Sequence, residues 1–431
     1  MPNASQSTPS ADRMTDIRAA PSAPAKSARI VASGKKDVPL EAVRGLAAIT
    51  VLMWHTMLGF FPQWSGAFPD HWPQKMALTG QIWFGLIDGT AAVTLFFVLS
   101  GFVLTRRFLL SGDQQIILRG AVKRWPRLAG PVLMSVLVSW LLFRLGAYHF
   151  AEGGAATGSP WLSKFAAASE VPYKRALWDA LRQGIYATFF RGDSYYDTSL
   201  WTMRYEFIGS FIAFGLALLL ALLPKKTGPL RLAMLAVMLL LCYSASPLYA
   251  AFPAGVALAA FLPERRGRLS GWAAGGLILV AIYLFGYTGA KAGAFVPAAW
   301  ILGTHVTAAQ ILASMLVITA VELAPDGFRR PLSSRFAERL GTLSFPLYLI
   351  HVLVLCSLGC IVLIWARTWA TGAYPNIIAG AATIIASVLA SIPLVMFNER
   401  WVARVNKATN RLLLFSVRPI DVASGEASLL R

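Results

Sequence analysis

The chain has 431 residues, of which 56% are hydrophobic and 14% are charged. A soluble domain has roughly 25% charged residues, and this chain contains several apolar runs long enough to cross a bilayer, which takes about 20 residues. The composition therefore excludes an ordinary soluble protein and indicates an all-α, polytopic integral membrane protein. The net charge of +19 would suggest a nucleic-acid partner in a soluble protein. Here the basic residues lie mostly in short segments between apolar runs, so we expect contact with membrane lipid and no nucleic acid.

The N-terminal residues 1–38 are rich in Ala, Ser, Pro, Lys and Arg and contain no apolar run. A secretory signal requires such a run, and a composition this poor in apolar residues is typical of disorder. We predict a disordered cytoplasmic tail over 1–38, a transmembrane domain over 39–403 and a second cytoplasmic tail over 404–431.

The apolar runs predict ten transmembrane helices. Their expected bounds are 40–61, 82–104, 128–148, 200–223, 230–244, 248–262, 270–288, 298–323, 341–366 and 376–397. Basic residues are concentrated in every second connection and are sparse in the others, apart from a long connection of mixed charge over 149–199. Connections rich in Lys and Arg stay in the cytoplasm, so the pattern predicts that both termini are cytoplasmic.

The long connection over 149–199 is predicted to lie on the outer side of the membrane. A connection of this length can hold structure of its own. Within it, the residues Arg175–Phe190 show helical spacing and end in aromatic residues. This part is a candidate for an amphipathic helix at the outer interface.

The first apolar segment carries Glu41, Arg44 and His55. Ionisable residues inside a membrane helix are costly and suggest a functional site. Arg44 and His55 are eleven positions apart, which is roughly 16 Å along a helix and close to three full turns, so both point to one side. The functional interpretation is a cation near the inner face and an imidazole in the outer half. The alternative is that Arg44 reaches the interface and His55 bonds a backbone carbonyl.

Two further ionisable residues are predicted to lie in the middle and outer layers of the membrane. Glu206 follows the start of the fourth segment, and His351 lies near the middle of the ninth. A carboxylate can fix the tautomer of an imidazole that abstracts a proton from an alcohol, so Glu206 is expected to orient His55. The alternatives are a salt bridge between Glu206 and Arg204 and a packing role for His351. No metal-ligand spacing occurs, and we expect no metal and no bound cofactor.

The connection before the third segment contains Lys123, Arg124 and Arg127. Positive charge that anchors the loop in the cytoplasm explains most clusters of this kind. The functional alternative is a clamp for the phosphates of a cytoplasmic donor, because guanidinium groups bind phosphate oxygens in pairs.

Five stretches together resemble the membrane-bound acyltransferase 3 family, and the resemblance extends from about Leu40 to Trp401. In chain order the stretches are EAVRGLAAITVLMWH, AAVTLFFVLSGFVL, AVKRWPRLAGP, SLWTMRYEF and LGTLSFPLYLIH. The motif residues of the family fall here on Arg44, His55, Ser100, Gly101, Phe102, Trp201, Glu206, Ser344, Tyr348 and His351. The sequence departs from the family at two positions, with Glu41 where Asp is commoner and Phe345 where Tyr is common.

This resemblance implies a bacterial inner-membrane enzyme that transfers an acyl group, expected to be acetyl, from acyl-coenzyme A to a hydroxyl. The acceptor is expected to be a surface glycan, a glycolipid or a lipid-linked sugar on the outer side of the membrane. His55 would act as general base or acyl carrier, with Arg44 and Glu206 as further catalytic residues. Substrate binding is assigned by this resemblance and by charge to Lys123, Arg124, Arg127, Ser100, Trp201, Ser344, Tyr348 and His351.

A transporter or flippase for a lipid-linked or polyol substrate is the alternative of another class, because intramembrane charges also mark transport paths. Many transporters show two repeated halves with matching broken helices, and this sequence shows none. A purely structural scaffold would leave the polar residues on three different helices unexplained.

Overall fold

The computed structural model describes residues 37–165, 176–224, 226–263, 267–289 and 293–416. Within these ranges the chain is helical and contains no strand. Eight helical segments are long and apolar enough to cross a membrane, so this is a multi-pass membrane protein. These segments are Val38–Phe60, Gly89–Ser111, Gln114–Arg144, Thr198–Leu222, Gly228–Ala245, Val306–Leu323, Arg335–Ala366 and Tyr374–Leu413. Two shorter apolar helices, Pro247–Phe261 and Gly271–Phe285, accompany them.

The α-helices are numbered in chain order. They are α1 Val38–Phe60, α2 Pro62–Ser65, α3 Gly89–Ser111, α4 Gln114–Arg144, α5 Phe150–Thr157, α6 Pro160–Ser163, α7 Leu177–Arg182, α8 Thr188–Phe190, α9 Trp201–Leu222, α10 Gly228–Ala245, α11 Ala251–Phe261, α12 Gly271–Phe285, α13 Val296–Leu302, α14 Val306–Leu323, α15 Asp326–Arg329, α16 Arg335–Val354, α17 Cys360–Ala366 and α18 Tyr374–Ser416. Two π turns, Gln183–Ala187 and Leu355–Gly359, join α7 to α8 and α16 to α17.

Each of the ten predicted segments contains an apolar helix, but among the described residues only eight helices are long and apolar enough to cross a membrane. The count of ten therefore stays a prediction. The second helix begins seven residues later than predicted. Its start is set by Asp88, whose carboxylate accepts a hydrogen bond of 2.8 Å from the backbone N–H of Thr90. A carboxylate that satisfies the free N–H groups of the first turn fixes a helix start. The predicted tail over 1–38 lies almost entirely outside the described residues.

Helix α4 corrects the prediction of a basic loop before the third span. Its 31 residues begin at Gln114, so Lys123, Arg124 and Arg127 all lie inside the helix. A helix of this length is roughly 46 Å long, which exceeds the hydrocarbon thickness of about 30 Å. The third apolar run therefore predicted only the later part of this helix, because charged residues interrupt its hydropathy.

Helices α1 and α16 are parallel neighbours that approach unusually closely. A side-chain carbon added at Gly45 would lie 2.6 Å from the backbone carbon of Leu340, and one added at Gly341 would lie 2.6 Å from the backbone oxygen of Glu41. Small residues allow two membrane helices to pack backbone against backbone. Because each glycine precedes a histidine by ten residues, the two histidines come to the same height.

The connection over 149–199 contains helices that pack against the bundle. Its later part descends along α4 and α9: the Trp125 indole donates to the backbone oxygen of Ile185 at 3.0 Å, and the rings of Phe190 and Phe207 are 5.2 Å apart. Phe207 lies about 13 Å along the helix from Thr198, so Phe190 reaches that depth as well. The predicted helix near 175–190 thus packs on other helices; its relation to the membrane surface stays a prediction.

Candidate active site

His55 on α1 and His351 on α16 are in direct hydrogen-bond contact. The distance between His55 Nδ1 and His351 Nε2 is 2.9 Å. His351 is buried and His55 is partly buried. The sequence analysis assigned His55 to catalysis and His351 to substrate binding and did not predict their contact, since nothing in a single sequence states that α1 and α16 are neighbours.

The hydrogen-bond partners of the two rings define their tautomers. His351 Nδ1 lies 3.1 Å from the Leu347 carbonyl oxygen, and His55 Nδ1 lies 3.0 Å from the Val51 carbonyl oxygen. A carbonyl oxygen only accepts, so both Nδ1 atoms carry hydrogen. The His351 Nε2 atom then has a lone pair that accepts from His55 Nδ1–H, a hydrogen that the Val51 carbonyl shares, and the remaining lone pair of His55 lies on Nε2. This order leaves His55 Nε2 as the basic atom at the end of the chain of hydrogen bonds.

Trp161, on α6, covers the imidazole of His55. The two ring centroids are 5.3 Å apart with an angle of 33° between the planes. Sequence analysis did not select Trp161, because it lies in the long connection and belongs to no motif that we used. The contact becomes visible only when that connection folds back over the end of α1.

Glu206 lies in a second polar cluster and does not contact His55. Its carboxylate pairs with the Arg124 guanidinium and accepts a hydrogen bond of 2.8 Å from the Ser100 hydroxyl. Arg124 Nε in turn donates to the Ser210 hydroxyl at 2.6 Å. The prediction that Glu206 orients the imidazole is therefore corrected: His351 takes that place. The alternative pairing of Glu206 with Arg204 is also replaced, because Arg124 lies within reach from the neighbouring helix.

Three arginines from two helices meet in this cluster. Arg44 pairs with Glu41 at 3.1 Å on α1. Arg127 interacts electrostatically with Arg44, Arg124, Glu41 and Glu206. Three cations and two carboxylates leave one positive charge in excess, and a partly buried excess charge of this sign favours an anion. Lys123 adds positive charge beside Arg127, and its ammonium is 3.4 Å from the Asn406 side-chain oxygen on α18.

Both polar centres lie in the part of the chain that matches a known protein family. A family model described as an acyltransferase domain matches residues 38–396. The chain belongs to the acyltransferase 3 family. The match begins at the first residue of α1 and ends within α18, so it includes every residue of both polar centres. No curated protein and no solved structure matches the chain.

Three further residues of the family motifs in this multi-pass membrane acyltransferase differ in their surroundings. The Tyr348 hydroxyl lies 2.7 Å from the Thr202 hydroxyl and donates to the Ser199 carbonyl at 2.8 Å. Ser344 bonds within its own helix, to the Gly341 carbonyl at 2.7 Å. Trp201 is 41% exposed. Tyr348 and Ser344 are thus engaged within the bundle, whereas Trp201 contacts the Tyr205 ring and is otherwise partly exposed.

Asp197 is a buried acidic residue of this acyltransferase that the sequence analysis did not select. It lies just before the fourth spanning segment, where it accepts from the hydroxyls of Ser135 on α4 and Ser199. Burial raises the pKa of the Asp197 carboxyl to about 6. The Ser135 hydroxyl also lies 2.8 Å from the Leu349 carbonyl oxygen on α16. Asp197 thereby links the start of α9 to the helix that carries His351.

An apolar cavity of about 370 Å³ lies beside a different face of α1. Its lining includes Val43, Ala47 and Thr50 on α1 together with Leu86 and Phe328. No residue of the two polar centres is part of the lining. The candidate site of this acyltransferase is therefore defined by its hydrogen bonds and charges.

Proposed function

We propose that this protein is an O-acyltransferase that moves an acyl group from cytoplasmic acyl-coenzyme A to a hydroxyl on the outer side of a bacterial inner membrane. The observation that carries the proposal is the hydrogen-bonded histidine pair, which leaves a basic Nε2 atom on His55. It lies inside an acyltransferase domain, and acyl transfer to an alcohol needs a base of this kind.

In the direct route, His55 Nε2 takes the proton of the acceptor hydroxyl while the acceptor oxygen attacks the thioester carbonyl. The new carbon–oxygen bond forms, the carbon–sulfur bond breaks, and the coenzyme A thiolate leaves with the bonding electrons. The proton held by His55 then passes to that thiolate. Throughout this sequence, the bond to His351 holds the His55 ring in the tautomer that exposes Nε2.

In the covalent route, His55 Nε2 is itself the nucleophile. It attacks the thioester carbonyl, the carbon–sulfur bond breaks, and coenzyme A leaves as its thiolate while the acyl group is bonded to the imidazole. The acceptor oxygen then attacks the acyl carbon, the carbon–nitrogen bond breaks, and the freed Nε2 takes the acceptor's proton, which balances the negative charge of the thiolate. Both routes use the same nitrogen atom. They differ in whether coenzyme A is released before the acceptor binds, which rapid mixing of enzyme and donor without acceptor would measure.

The arginine cluster supports cytoplasmic entry of the donor. Arg44 is roughly 16 Å from His55 along α1, on the side predicted to face the cytoplasm. We assign Arg44 and Arg127 to the phosphates of acyl-coenzyme A, because guanidinium groups bind phosphate oxygens strongly. Arg124 is paired with Glu206 and bonded to Ser210, so it contributes positive charge next to Arg44 and Arg127. The thin pantetheine arm would then extend between the helices towards His55.

The acceptor is proposed to be a sugar hydroxyl of a glycan, glycolipid or lipid-linked precursor, and the acyl group to be acetyl. Exposed Trp201 is proposed to contact the acceptor, because a flat aromatic face packs well on the apolar face of a sugar ring. Comparing the surface glycans of wild-type and deletion strains by mass spectrometry would identify the acceptor and the acyl group.

The proposed topology has both termini in the cytoplasm. Reporter fusions at residues 75, 175 and 372 should report the outer side, and fusions at 115, 226 and 335 the inner side. An inner-side result at 175 would separate the histidine pair from an outer acceptor and would overturn the proposed direction of transfer.

The decisive experiment is an assay of purified protein with acetyl-coenzyme A and candidate hydroxylated acceptors. Release of coenzyme A that depends on the acceptor, together with an acetylated product, is the expected result. A His55→Ala protein of normal yield and dispersity should show neither. Substrate movement across vesicles without coenzyme A release would instead support the transporter class.

A further inference from the structure

We propose that Trp161 is a positioning residue that stabilises the protonated imidazole of His55 through the face of its indole ring. The inference rests on the proposed function, in which His55 gains a proton during the reaction. The group that Trp161 stabilises is the protonated His55 ring, and Trp161 influences the reaction through His55 without contacting the substrate.

The position of Trp161 is fixed by the chain around it. The Ser159 hydroxyl donates to the Leu58 carbonyl oxygen on α1 at 2.6 Å and accepts from the Leu162 backbone N–H at 3.1 Å. Leu162 is fully buried against Phe60 and its neighbours. One hydroxyl therefore starts α6 and ties it to the helix that carries His55, only three residues beyond the imidazole. Trp161, between these two anchors, is held over His55.

The distance is suitable for a cation–π interaction. A cation within about 6 Å of an aromatic centroid is attracted by the ring quadrupole, and tryptophan provides the strongest such face. The imidazole centroid lies 5.3 Å from that of Trp161. A protonated His55 would place its charge within this distance, whereas the neutral ring gains far less. The indole therefore favours the protonated state that forms during transfer.

The titratable groups on the helices around His55 do not supply a negative charge that would stabilise its protonated ring. From α16, the titratable group that faces His55 is His351, whose neutral ring accepts the hydrogen bond from His55 Nδ1–H and carries no negative charge that would balance a protonated His55. On the other elements, Glu152 of α5 interacts with Cys360, and Glu206 is paired with Arg124. Asp88 at the start of α3 is bonded to Thr90. Of the residues in the described ranges, α18 presents no charged side chain between Tyr374 and Phe397.

A graded series of variants tests the inference. Trp161→Phe keeps a weaker aromatic face, Trp161→Leu removes it, and Trp178→Leu serves as the control, because Trp178 lies in the same long connection and is 75% exposed. We expect kcat to fall about 3-fold in Trp161→Phe and about 5- to 30-fold in Trp161→Leu. The acid limb of the pH profile of kcat/KM should move to lower pH by about half a unit to one unit in Trp161→Leu. Trp178→Leu should match the wild type.

The direction of the shift follows from the protonated state. Activity requires neutral His55, and an indole face that stabilises the cation keeps His55 protonated to higher pH. Its removal therefore extends activity to lower pH while lowering the plateau rate. A structural role alone would lower activity without moving the limb, and loss of an acceptor contact would raise the acceptor KM instead.

Either of these two results would overturn the inference, as would equal effects of the Phe and Leu variants. The proposed function has its own test, because His55→Ala should be inactive whatever the Trp161 variants do. A fully active His55→Ala removes both proposals, whereas an inactive His55→Ala with an unmoved limb in Trp161→Leu removes only this one.

Discussion

Gly341 on α16 lies directly against the backbone of Glu41 on α1, and a side-chain carbon at Gly341 would come within 2.6 Å of the Glu41 carbonyl oxygen. This contact lies ten residues before His351 and sets the separation of the two helices at the base of the histidine pair. The geometry of the histidine pair therefore depends on an approach of two backbones about 15 Å away.

We expect Gly341→Leu to push α1 and α16 apart and to abolish detectable acyl transfer. Overpacking a close contact of this kind typically costs 1–3 kcal/mol or more, so the apparent Tm should also fall. Gly276→Leu on α12 is the matched control, because a side-chain carbon there meets no atom within 4 Å. The result to measure is transfer rate and apparent Tm in detergent for both proteins. Wild-type activity in Gly341→Leu would show that the glycine contact does not determine the site.

The two histidines are expected to contribute unequally. His55→Ala removes the proposed base and should lower the rate by about 10² to 10⁴. His351→Ala removes one of the two acceptors of His55 Nδ1–H and leaves the Val51 carbonyl, so it should cost about 10- to 100-fold. His351→Gln, which retains an acceptor oxygen, should recover part of that loss. The double alanine variant should be little slower than His55→Ala alone. Initial rates at saturating donor measure all four. Substantial turnover in His55→Ala together with none in His351→Ala would make His351 the base.

Arg127→Gln should raise the KM for acyl-coenzyme A and change kcat little, because it removes a phosphate contact of the donor. The KM for the acceptor should change less. Lys123→Gln is a useful comparison, since Lys123 is close to Arg127 but bonds to Asn406 on α18. Equal changes in the two Michaelis constants of Arg127→Gln would favour a role for Arg127 in topology alone.

Arg124→Gln should instead reduce the amount of folded protein, because it leaves the Glu206 carboxylate without its buried partner. Breaking one side of a buried ion pair typically costs 3–5 kcal/mol. The double variant Arg124→Gln/Glu206→Gln should recover much of the yield, since an uncharged pair can still hydrogen-bond. Yield and apparent Tm are the measurements. A double variant no more stable than Arg124→Gln would show that the pair itself is not what stabilises this part of the bundle.

Asp197→Asn should stabilise the protein above pH 6 and have less effect at pH 5. Burial raises the pKa of this carboxyl from 3.8 to about 6, so the folded state binds a proton more tightly than the unfolded state. Stability from this group is therefore present at low pH and is lost as pH rises through about 4 to 6. Asparagine removes the ionisation and keeps similar hydrogen bonds. The apparent Tm of both proteins between pH 5 and 8 gives the difference, and a difference independent of pH would contradict the assignment.

The sequence alone determined the class of the protein and the number of apolar segments. It also led to the choice of candidate site residues, which are Arg44, His55, Arg124, Arg127, Glu206 and His351. Hydropathy and charge are local properties of the chain, and an ionisable residue in an apolar run is conspicuous without any neighbour. For the same reason the motif order along the chain led to the family, which the match over residues 38–396 confirmed.

The tertiary structure alone decided which of these residues meet. In the structure, His55 contacts His351 and Glu206 pairs with Arg124. Trp161 and Asp197, which the sequence analysis did not select, also lie at or beside the site. The basic residues predicted for a loop lie inside α4. Depth along a helix follows from counting residues, but the lateral neighbour of a membrane helix depends on close packing between surfaces that are equally apolar in sequence. The partners of the buried polar groups therefore became known only when the helices were assembled.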